Sequence, residues 1–204
     1  MTETIRLLLA DDQGLVRGAL AALLNQEPDL AVVAEVERGD HVLDALTASD
    51  VDVALLDIEM PGLDGISVVE QVAQQHPAVR TLIATTFGRP GYLRRALDAG
   101  ASGFVVKDTP AAELAEAVRR VHQGLRVIDP DLAAQSLIDG NNPLGNREQE
   151  ALRHVLAGTP VADIAKAMSL STGTVRNYLS NAVAQTGAAS SAQAAVIARE
   201  RGWL

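Results

Sequence analysis

Four stretches decide the fold of this chain: IRLLLADD (residues 5–12), VDVALLD (51–57), TLIAT (81–85) and GFVVK (103–107). Each is an apolar run that ends in polar residues, and continuous apolar runs are typical of strands buried on both faces of a parallel sheet. Ligands of open α/β sheets bind outside the carboxyl ends of the strands. We therefore expect one edge of one sheet to carry Asp11, Asp12, Asp57, Thr85 and Lys107.

The first 123 residues alternate strand-like runs with helical patterns. A fifth run covers residues 30–36, and residues 15–25 have apolar positions three and four apart, the period of a helix. This alternation predicts an α/β fold, a five-stranded doubly wound parallel sheet with right-handed crossovers and helices on both faces. Further helices are predicted at residues 41–48, 65–75, 92–99 and 111–123.

A linker and a second, all-helical module follow. Residues 124–143 contain two prolines and a Gly-Asn-Asn-Pro breaker, with room for one short helix at 132–138. Beyond residue 143 the pattern is helical, with helices predicted at 146–157, 161–168, 172–185 and 191–201. The sequence thus predicts a domain over residues 1–123, a linker over 124–143 and a small four-helix domain over 144–204.

Composition and charge narrow the class of protein. Hydrophobic residues make up 48% of the chain and aromatic residues only 2%, which suits an aliphatic core between helices and a parallel sheet. There is no cysteine and no apolar stretch near the roughly 20 residues that span a bilayer, so we expect a soluble, cytoplasmic protein. Residues 1–142 hold 11 Lys and Arg against 22 Asp and Glu, whereas residues 143–204 hold 6 against 4. This asymmetry suggests two modules with different partners.

The residue types at the predicted sheet edge suit phosphoryl transfer. An aspartate such as Asp57 can attack phosphorus and form an aspartyl-phosphate. Mg²⁺ typically binds through one or two carboxylates plus waters and phosphate oxygens, and Asp11 and Asp12 supply further carboxylates. Lys107 can pair with a phosphate oxygen as a point charge, and Thr85 offers a hydroxyl donor. Each residue alone fits a cap, a turn or a solvated charge, but their conjunction favours the functional interpretation.

Residues 161–185 have the pattern of a helix-turn-helix, which by itself also fits any helical hairpin. Apolar residues fall where two crossing helices would bury them, at Ile164, Ala165, Met168, Leu170, Val175 and Leu179. The start of the second helix presents polar residues, namely Ser171, Thr172, Thr174, Arg176 and Asn177. Ser and Thr at a helix N-terminus can contact phosphate, whereas Arg and Asn read guanine and adenine in the major groove. This polar face favours DNA binding.

Three blocks resemble the signature of bacterial response-regulator receiver domains: LLADD (8–12), LDIEMPGLDG (56–65) and GFVVKD (103–108). The resemblance covers residues 1 to about 123 and implies the strand order 2-1-3-4-5. It further implies that a sensor histidine kinase phosphorylates Asp57. The implied Mg²⁺ ligands are Asp12, Asp57 and the backbone carbonyl of Glu59, with Asp11 assisting. Thr85 and Phe104 would be the pair that reports phosphorylation.

The span from residue 146 to residue 204 resembles the LuxR-type DNA-binding domain. A receiver joined to this domain is the arrangement of the NarL/FixJ family. Within that family, three blocks are most similar to regulators of membrane-lipid desaturases: TTFGRPGY (85–92), GTVRNY (173–178) and the GW ending (202–203). The resemblance implies a transcription factor that binds double-stranded DNA and is switched by phosphorylation.

The chain departs from the family at positions that matter for DNA affinity. Gly145 stands where the family has Ser or Thr, and residues 184–185 and 191–192 lack the usual basic side chains. Because each lost phosphate contact lowers the affinity and its salt dependence, we expect one subunit to bind DNA weakly. Two subunits on paired half-sites about one helical turn apart would restore the affinity, so we predict that phosphorylation promotes a homodimer.

Two other classes of function fit parts of the sequence. A phosphohydrolase would use an aspartyl-phosphate on a similar sheet, but no second acid for the leaving group and no cap over the substrate are evident. We therefore expect that the protein is not an enzyme. The other alternative is a receiver that controls a protein-interaction module, in which the C-terminal helices bind DNA weakly or not at all.

Overall fold

The structure is a computed structural model that describes residues 4–86, 88–130, 132–134 and 142–204. These residues divide into two compact units, the first formed by those within 4–88 and 93–134 and the second by residues 89–92 and 142–204. Most of the short helix predicted at 132–138 lies outside the described residues. Its described part, residues 132–134, is helical.

The first unit is built on one parallel sheet, as the sequence predicts. The strands are β1 (Ile5–Ala10), β2 (Leu30–Val36), β3 (Val53–Leu56), β4 (Arg80–Thr85), β5 (Gly103–Val106) and β6 (Val127–Ile128). The helices are α1 (Gly14–Leu24), α2 (Val42–Ala48), α3 (Gly65–Gln75), α4 (Pro90–Asp98) and α5 (Ala111–His122); the first residues of α4 are among those that the division assigns to the second unit. The strand order β2-β1-β3-β4-β5-β6 confirms the doubly wound α/β fold.

The sheet has six strands instead of the predicted five. The additional strand, β6, lies in the segment that the sequence analysis assigns to the linker. It pairs in parallel with β5, Gly103 opposite Val127 and Phe104 opposite Ile128. Two residues are too few to show an alternating or a continuous apolar pattern, so β6 leaves no local signal in the sequence. It forms because the edge of β5 offers backbone N–H and C=O groups with which residues 127–128 pair.

Helix α1 is confirmed, but its apolar stripe is not simply its buried face. Ala21 and Leu24 are buried, whereas Leu15 is 89% exposed and Leu23 is 43% exposed. The helix contains only one charged residue, Arg17, so apolar side chains occupy its outer as well as its inner surface. A helical period therefore identified the element correctly without identifying which side faces the core.

The second unit contains four helices within residues 142–204. They are α6 (Asn146–Leu156), α7 (Val161–Ala167), α8 (Thr172–Thr186) and α9 (Ser191–Glu200). The apolar residues predicted between α7 and α8 are all buried except Leu170, which is half-buried. The only tryptophan, Trp203, belongs to the same core. Within the described part of the chain, no helix has the length and apolar character that crossing a bilayer requires.

Polar side chains cap the starts of two helices in the second unit, α6 and α8. Ser171 begins α8 and accepts a hydrogen bond from the backbone N–H of Thr174 at 3.0 Å. At the start of α6, Gly145 has no side chain to offer, but its N–H donates to Glu148 Oε2 at 2.6 Å. This bond is one half of a capping box, so it offsets part of the loss expected from glycine at this position.

The start of α3 packs so closely on Asp57 that only glycine fits. A Cβ on Gly65 would lie 1.9 Å from the carbonyl oxygen of Asp57.

We predict that Gly65→Ala lowers the free energy of unfolding by about 1–3 kcal/mol, the usual cost of overpacking. Gly18→Ala is the control, because a Cβ on Gly18 of α1 meets nothing within 4 Å. It should stabilise the protein by about 0.5–1 kcal/mol. Calorimetric midpoints that do not separate the two variants would contradict the close packing.

Candidate functional site

Three carboxylates converge at the carboxyl ends of two neighbouring strands. Asp11 and Asp12 follow β1 and Asp57 follows β3, and the register places Ala10 opposite Leu56. One oxygen from each carboxylate lies within 4.8 Å of the others. Asp11 and Asp57 are buried, with 3% and 4% of their surface exposed, while Asp12 is exposed. The structure thus brings together the three acidic residues that the sequence analysis singled out.

Lys107, directly after β5, forms ion pairs with the two buried carboxylates. Its Nζ lies 2.7 Å from Asp11 Oδ2 and 2.9 Å from Asp57 Oδ2. The remaining oxygens accept backbone hydrogen bonds, from Gln13 N to Asp11 Oδ1 at 2.9 Å and from Ile58 N to Asp57 Oδ1 at 2.7 Å. Only 8% of the Lys107 side chain is exposed, so water screens these attractions weakly.

Burial and charge act in opposite directions on the protonation of this site. Burial raises the pKa of Asp57 above its ordinary value, the hydrogen bond and charge of Lys107 oppose that rise, and the charge of Asp11 adds to it. Burial by itself would lower the pKa of Lys107. The hydrogen bonds and charges of Asp11 and Asp57 outweigh this effect, so the pKa of Lys107 is raised. Lys107 therefore carries its positive charge at neutral pH.

A cavity of about 150 Å³ lies beside Asp57 and is lined also by Gln13, Glu59, Thr85 and Thr86. One water molecule needs only about 10–15 Å³ of such space, so the cavity has room for a phosphoryl group together with water. Thr85, the last residue of β4, is only 3% exposed. Phe104 on β5 is fully buried and is not among the lining residues.

The donor set fits a hard divalent cation. Asp11, Asp12 and Asp57 each offer a carboxylate oxygen at one point, and the cavity beside them leaves room for water ligands. Mg²⁺ takes oxygen ligands and usually retains several waters, which matches this combination. Glu59, the residue whose carbonyl the family resemblance implicates, lines the same cavity.

The cavity wall also contains Gln13 and Thr86, two residues that the sequence does not single out. Neither residue type by itself indicates phosphoryl chemistry. The one signal in the sequence is their position, since Gln13 directly follows Asp12 and Thr86 directly follows Thr85. Neighbours of a functional residue at the end of a strand share its loop, and this is how both reach the cavity.

The first two turns of α8 carry the residues predicted to contact DNA. Thr172, Arg176 and Asn177 are exposed, and Thr174 is half-buried. The hydroxyls of Ser171 and Thr174 are 2.9 Å apart and bonded to each other. Because one of them donates to the other, one O–H remains as a donor toward another group. The helix N-terminus adds a partial positive charge at the same place.

Two family models match the chain. The model described as the response regulator receiver domain matches residues 7–119, and the model described as bacterial regulatory proteins, luxR family, matches residues 142–198. The chain therefore belongs to the response regulators that join a receiver domain to a LuxR-type helix-turn-helix domain, the NarL/FixJ family.

Two curated relatives each match 98% of this chain, and a solved structure matches about two thirds of it. Transcriptional regulatory protein YvfU of Bacillus subtilis (strain 168) is 41% identical over 200 residues, 98% of this chain and 100% of that protein. DesR of the same strain, also a transcriptional regulatory protein, is 38% identical over 98% of this chain and 99% of that protein. The crystal structure of a LuxR-family two-component response regulator from Aurantimonas sp. SI85-9A1 is 31% identical, with a TM-score of 0.63. The aligned region covers 67% of this chain and 98% of the chain in that crystal structure. The predicted family is thus confirmed.

Lys107 balances the charge of two buried carboxylates, so its removal should be costly. We predict that Lys107→Met lowers the free energy of unfolding at pH 7 by about 3–5 kcal/mol in the absence of Mg²⁺, the range for breaking a buried ion pair. The pKa of Asp57 should rise further, because burial then acts without the opposing hydrogen bond and charge of Lys107.

The pH dependence of this loss has a definite sign. A carboxyl whose pKa is higher in the folded than in the unfolded protein favours folding at low pH, and this contribution is lost as the pH rises through the folded-state pKa. Urea unfolding should therefore show a smaller deficit for Lys107→Met at pH 5 than at pH 7. The control is Lys166→Met, because Lys166 is 80% exposed and pairs with Asp163 at the surface. A loss that does not change with pH would contradict the proposed charge balance.

Proposed function

We propose that this chain is a two-component response regulator whose DNA binding is switched by Mg²⁺-dependent phosphorylation of Asp57 by a sensor histidine kinase. The observation that carries the proposal is the convergence of Asp11, Asp12, Asp57 and Lys107 beside a cavity of about 150 Å³. Residues 1–123 would form the phosphoacceptor domain, 124–143 the linker and 144–204 the DNA-binding domain. The protein would act in the cytoplasm, where its kinase and its DNA are accessible.

In the proposed reaction, a carboxylate oxygen of Asp57 attacks the phosphorus of a phosphohistidine. A P–O bond forms, the P–N bond breaks and the imidazole leaves with the electron pair of that bond. Both Asp57 oxygens are engaged beforehand, Oδ2 with Lys107 and Oδ1 with the N–H of Ile58. Release of Oδ2 by Lys107 would free the attacking oxygen, and the ammonium would then pair with a phosphoryl oxygen.

Several residues around Asp57 would accommodate the added charge. Mg²⁺, when bound, offsets the negative charge that the carboxylates and the phosphoryl group share. The residues that would hold it are Asp11, Asp12, Asp57 and Glu59, the last through its backbone carbonyl. Thr85 would donate its hydroxyl to a phosphoryl oxygen within the cavity. Phe104 is already fully buried, so its response would be a rearrangement inside the core.

The second unit would supply the output. Arg176 and Asn177 are exposed on α8 and would read guanine and adenine in the major groove. Ser171, Thr172 and Thr174 would contact the phosphate backbone at the helix N-terminus. Residues 143–204 hold only 6 basic against 4 acidic residues, so one subunit would make few charge-assisted phosphate contacts.

Phosphorylation would act by promoting a homodimer that binds paired half-sites. Two linked DNA-binding domains raise the affinity because the second contact becomes intramolecular. The apolar outer side of α1 supports this proposal, since Leu15 is 89% exposed and Leu23 is 43% exposed. These two side chains would be candidates for the surface that pairs in such a dimer.

The low basic charge of the second unit also leaves one alternative. In this alternative the receiver controls a protein-interaction module, and the C-terminal helices bind DNA weakly or not at all. The two candidates differ in salt dependence, because DNA binding weakens linearly with the logarithm of the salt concentration. A salt-dependent footprint on duplex DNA would therefore exclude the alternative.

We predict that acetyl phosphate with Mg²⁺ adds one phosphoryl group to the wild-type protein and none to Asp57→Asn. Beryllofluoride should shift the wild type toward a dimer in sedimentation and tighten its binding to operator DNA. Operators can be found from a genome-wide binding map with Asp57 intact and with Asp57→Ala. The Asn variant is the matched control, because it keeps the size of the side chain and lacks the nucleophilic carboxylate. A monomer throughout, with unchanged DNA affinity, would refute the proposed switch.

We predict that Arg176→Ala lowers operator affinity about 5- to 150-fold, as expected when a bidentate contact to guanine is lost. The variant should also discriminate less at one base pair. Arg147→Ala is the control, since Arg147 is similarly exposed but lies on α6 and pairs with Glu150 at 2.8 Å. Equal losses for both variants, measured by fluorescence anisotropy at constant salt, would argue against α8 as the recognition helix.

A further inference from the structure

Arg17 lies beside the acidic cluster, although the proposed phosphoryl chemistry does not use it. It occupies the first turn of α1, and 18% of its side chain is exposed. Its Nε lies 3.5 Å from Glu35 Oε2 on β2. Its Nη1 donates a hydrogen bond to the backbone carbonyl oxygen of Asp11 at 2.5 Å. Arg17 therefore joins α1 and β2 to the end of β1 at a single point.

The carbonyl that Arg17 holds belongs to the peptide between Asp11 and Asp12. A peptide unit is planar, so fixing this oxygen also fixes the direction in which the chain continues to the Cα of Asp12. Asp11 has other anchors, because its N–H donates to Val36 O at 3.1 Å and its carboxylate pairs with Lys107. Within the described part of the chain, the exposed Asp12 carboxylate makes no hydrogen bond or ion pair, so the backbone alone limits the positions that it can reach.

We propose that Arg17 is a positioning residue for the cation site. By holding the carbonyl oxygen of Asp11, it orients the peptide that leads to Asp12 and thereby places the Asp12 carboxylate against Asp11 and Asp57. Glu35 holds the guanidinium in the orientation that this bond requires. The inference rests on the proposed Mg²⁺ site, whose ligands include these aspartates.

A positioning role and a purely electrostatic role of Arg17 predict opposite changes in Mg²⁺ affinity when the residue is replaced. The positive charge of Arg17 near the site repels a divalent cation, so removing it would strengthen Mg²⁺ binding if charge alone mattered. Loss of positioning weakens Mg²⁺ binding, because the Asp12 carboxylate is then no longer held in place. Loss of a group that orients a metal ligand typically weakens metal affinity about 10- to 100-fold. The direction of the change therefore separates the two roles.

The choice of variant follows from the packing around Arg17. A void of about 10 Å³ lies among Arg17, Asp11, Asp57 and Leu20. Shortening the side chain to alanine would enlarge this void and admit water near the carboxylates. Methionine keeps most of the volume and removes the donor, and Arg17→Lys retains both a donor and the charge. The Lys variant should recover part of the affinity that Arg17→Met loses.

The test is Mg²⁺ affinity of the full chain, measured by isothermal titration calorimetry without a phosphoryl donor. We expect Arg17→Met to bind Mg²⁺ about 10- to 100-fold more weakly than the wild type. Faster hydrogen exchange of the Gln13 amide, which donates to Asp11 Oδ1, should accompany the loss. Arg6→Met is the matched control, because Arg6 forms a two-bond ion pair with Asp52 at the opposite end of β1. It should lower the melting temperature and leave the Mg²⁺ affinity unchanged.

The outcomes separate this inference from the proposed function. If the wild type binds Mg²⁺ and Arg17→Met binds it equally or more tightly, the positioning role is wrong and the proposed function stands. If Arg6→Met weakens Mg²⁺ binding as much as Arg17→Met, general destabilisation accounts for the effect and the inference also fails. A wild type that does not bind Mg²⁺ overturns both. If Arg17→Met does not fold, Arg17→Lys tests the inference instead. Lysine cannot bond the Asp11 carbonyl and Glu35 with the same planar group. Wild-type Mg²⁺ affinity in this variant, with no faster exchange of the Gln13 amide, would therefore contradict the positioning role.

Discussion

The ammonium of Lys107, held between the buried carboxylates of Asp11 and Asp57, is the interaction on which the first unit depends. Two carboxylates that are each at most 4% exposed cannot remain charged so close together without a cation. Lys107 supplies that cation from the end of β5, across the sheet from β1 and β3. The ion pairs therefore tie three strand ends together, and they balance most of the charge that burial would otherwise penalise.

Under the proposed phosphorylation, this balance would also make the site responsive. In the resting structure Lys107 neutralises part of the acidic cluster, and Asp12 leaves a further negative charge at the surface. A divalent cation and a phosphoryl group would each change the partner that Lys107 prefers, because the ammonium pairs with whichever oxygen carries the most charge. In the proposed mechanism, this arrangement of buried charges would switch between two states as the partners of Lys107 change. Thr85 and the cavity beside Asp57 are the structural means by which such a change would spread.

The second unit is suited to an output that depends on two copies. Helix α8, the proposed recognition helix, has an intact N-cap at Ser171 and exposed polar residues, so a single copy would present a surface for reading a groove. Its basic charge is slight, so phosphate contacts contribute little to the affinity of one copy. In the proposed function, α8 would read the DNA sequence, and the association of two chains would supply the affinity.

The sequence by itself determined every α-helix and strand of the described fold except β6, and it singled out the candidate residues of the site. Apolar runs and helical periods are local, and the strands that precede Asp11, Asp57, Thr85 and Lys107 could be placed from them to within two residues. The family resemblance rested on the same short blocks. Only the tertiary structure decided which groups touch. The pairing of β6 with β5, the exposed side of α1 and the bond from Arg17 to the Asp11 carbonyl have no local pattern. Each is a contact between, or an exposure relative to, elements that are separate in the sequence. Such relations arise only when the helices pack on the complete sheet, so no single segment of sequence encodes them.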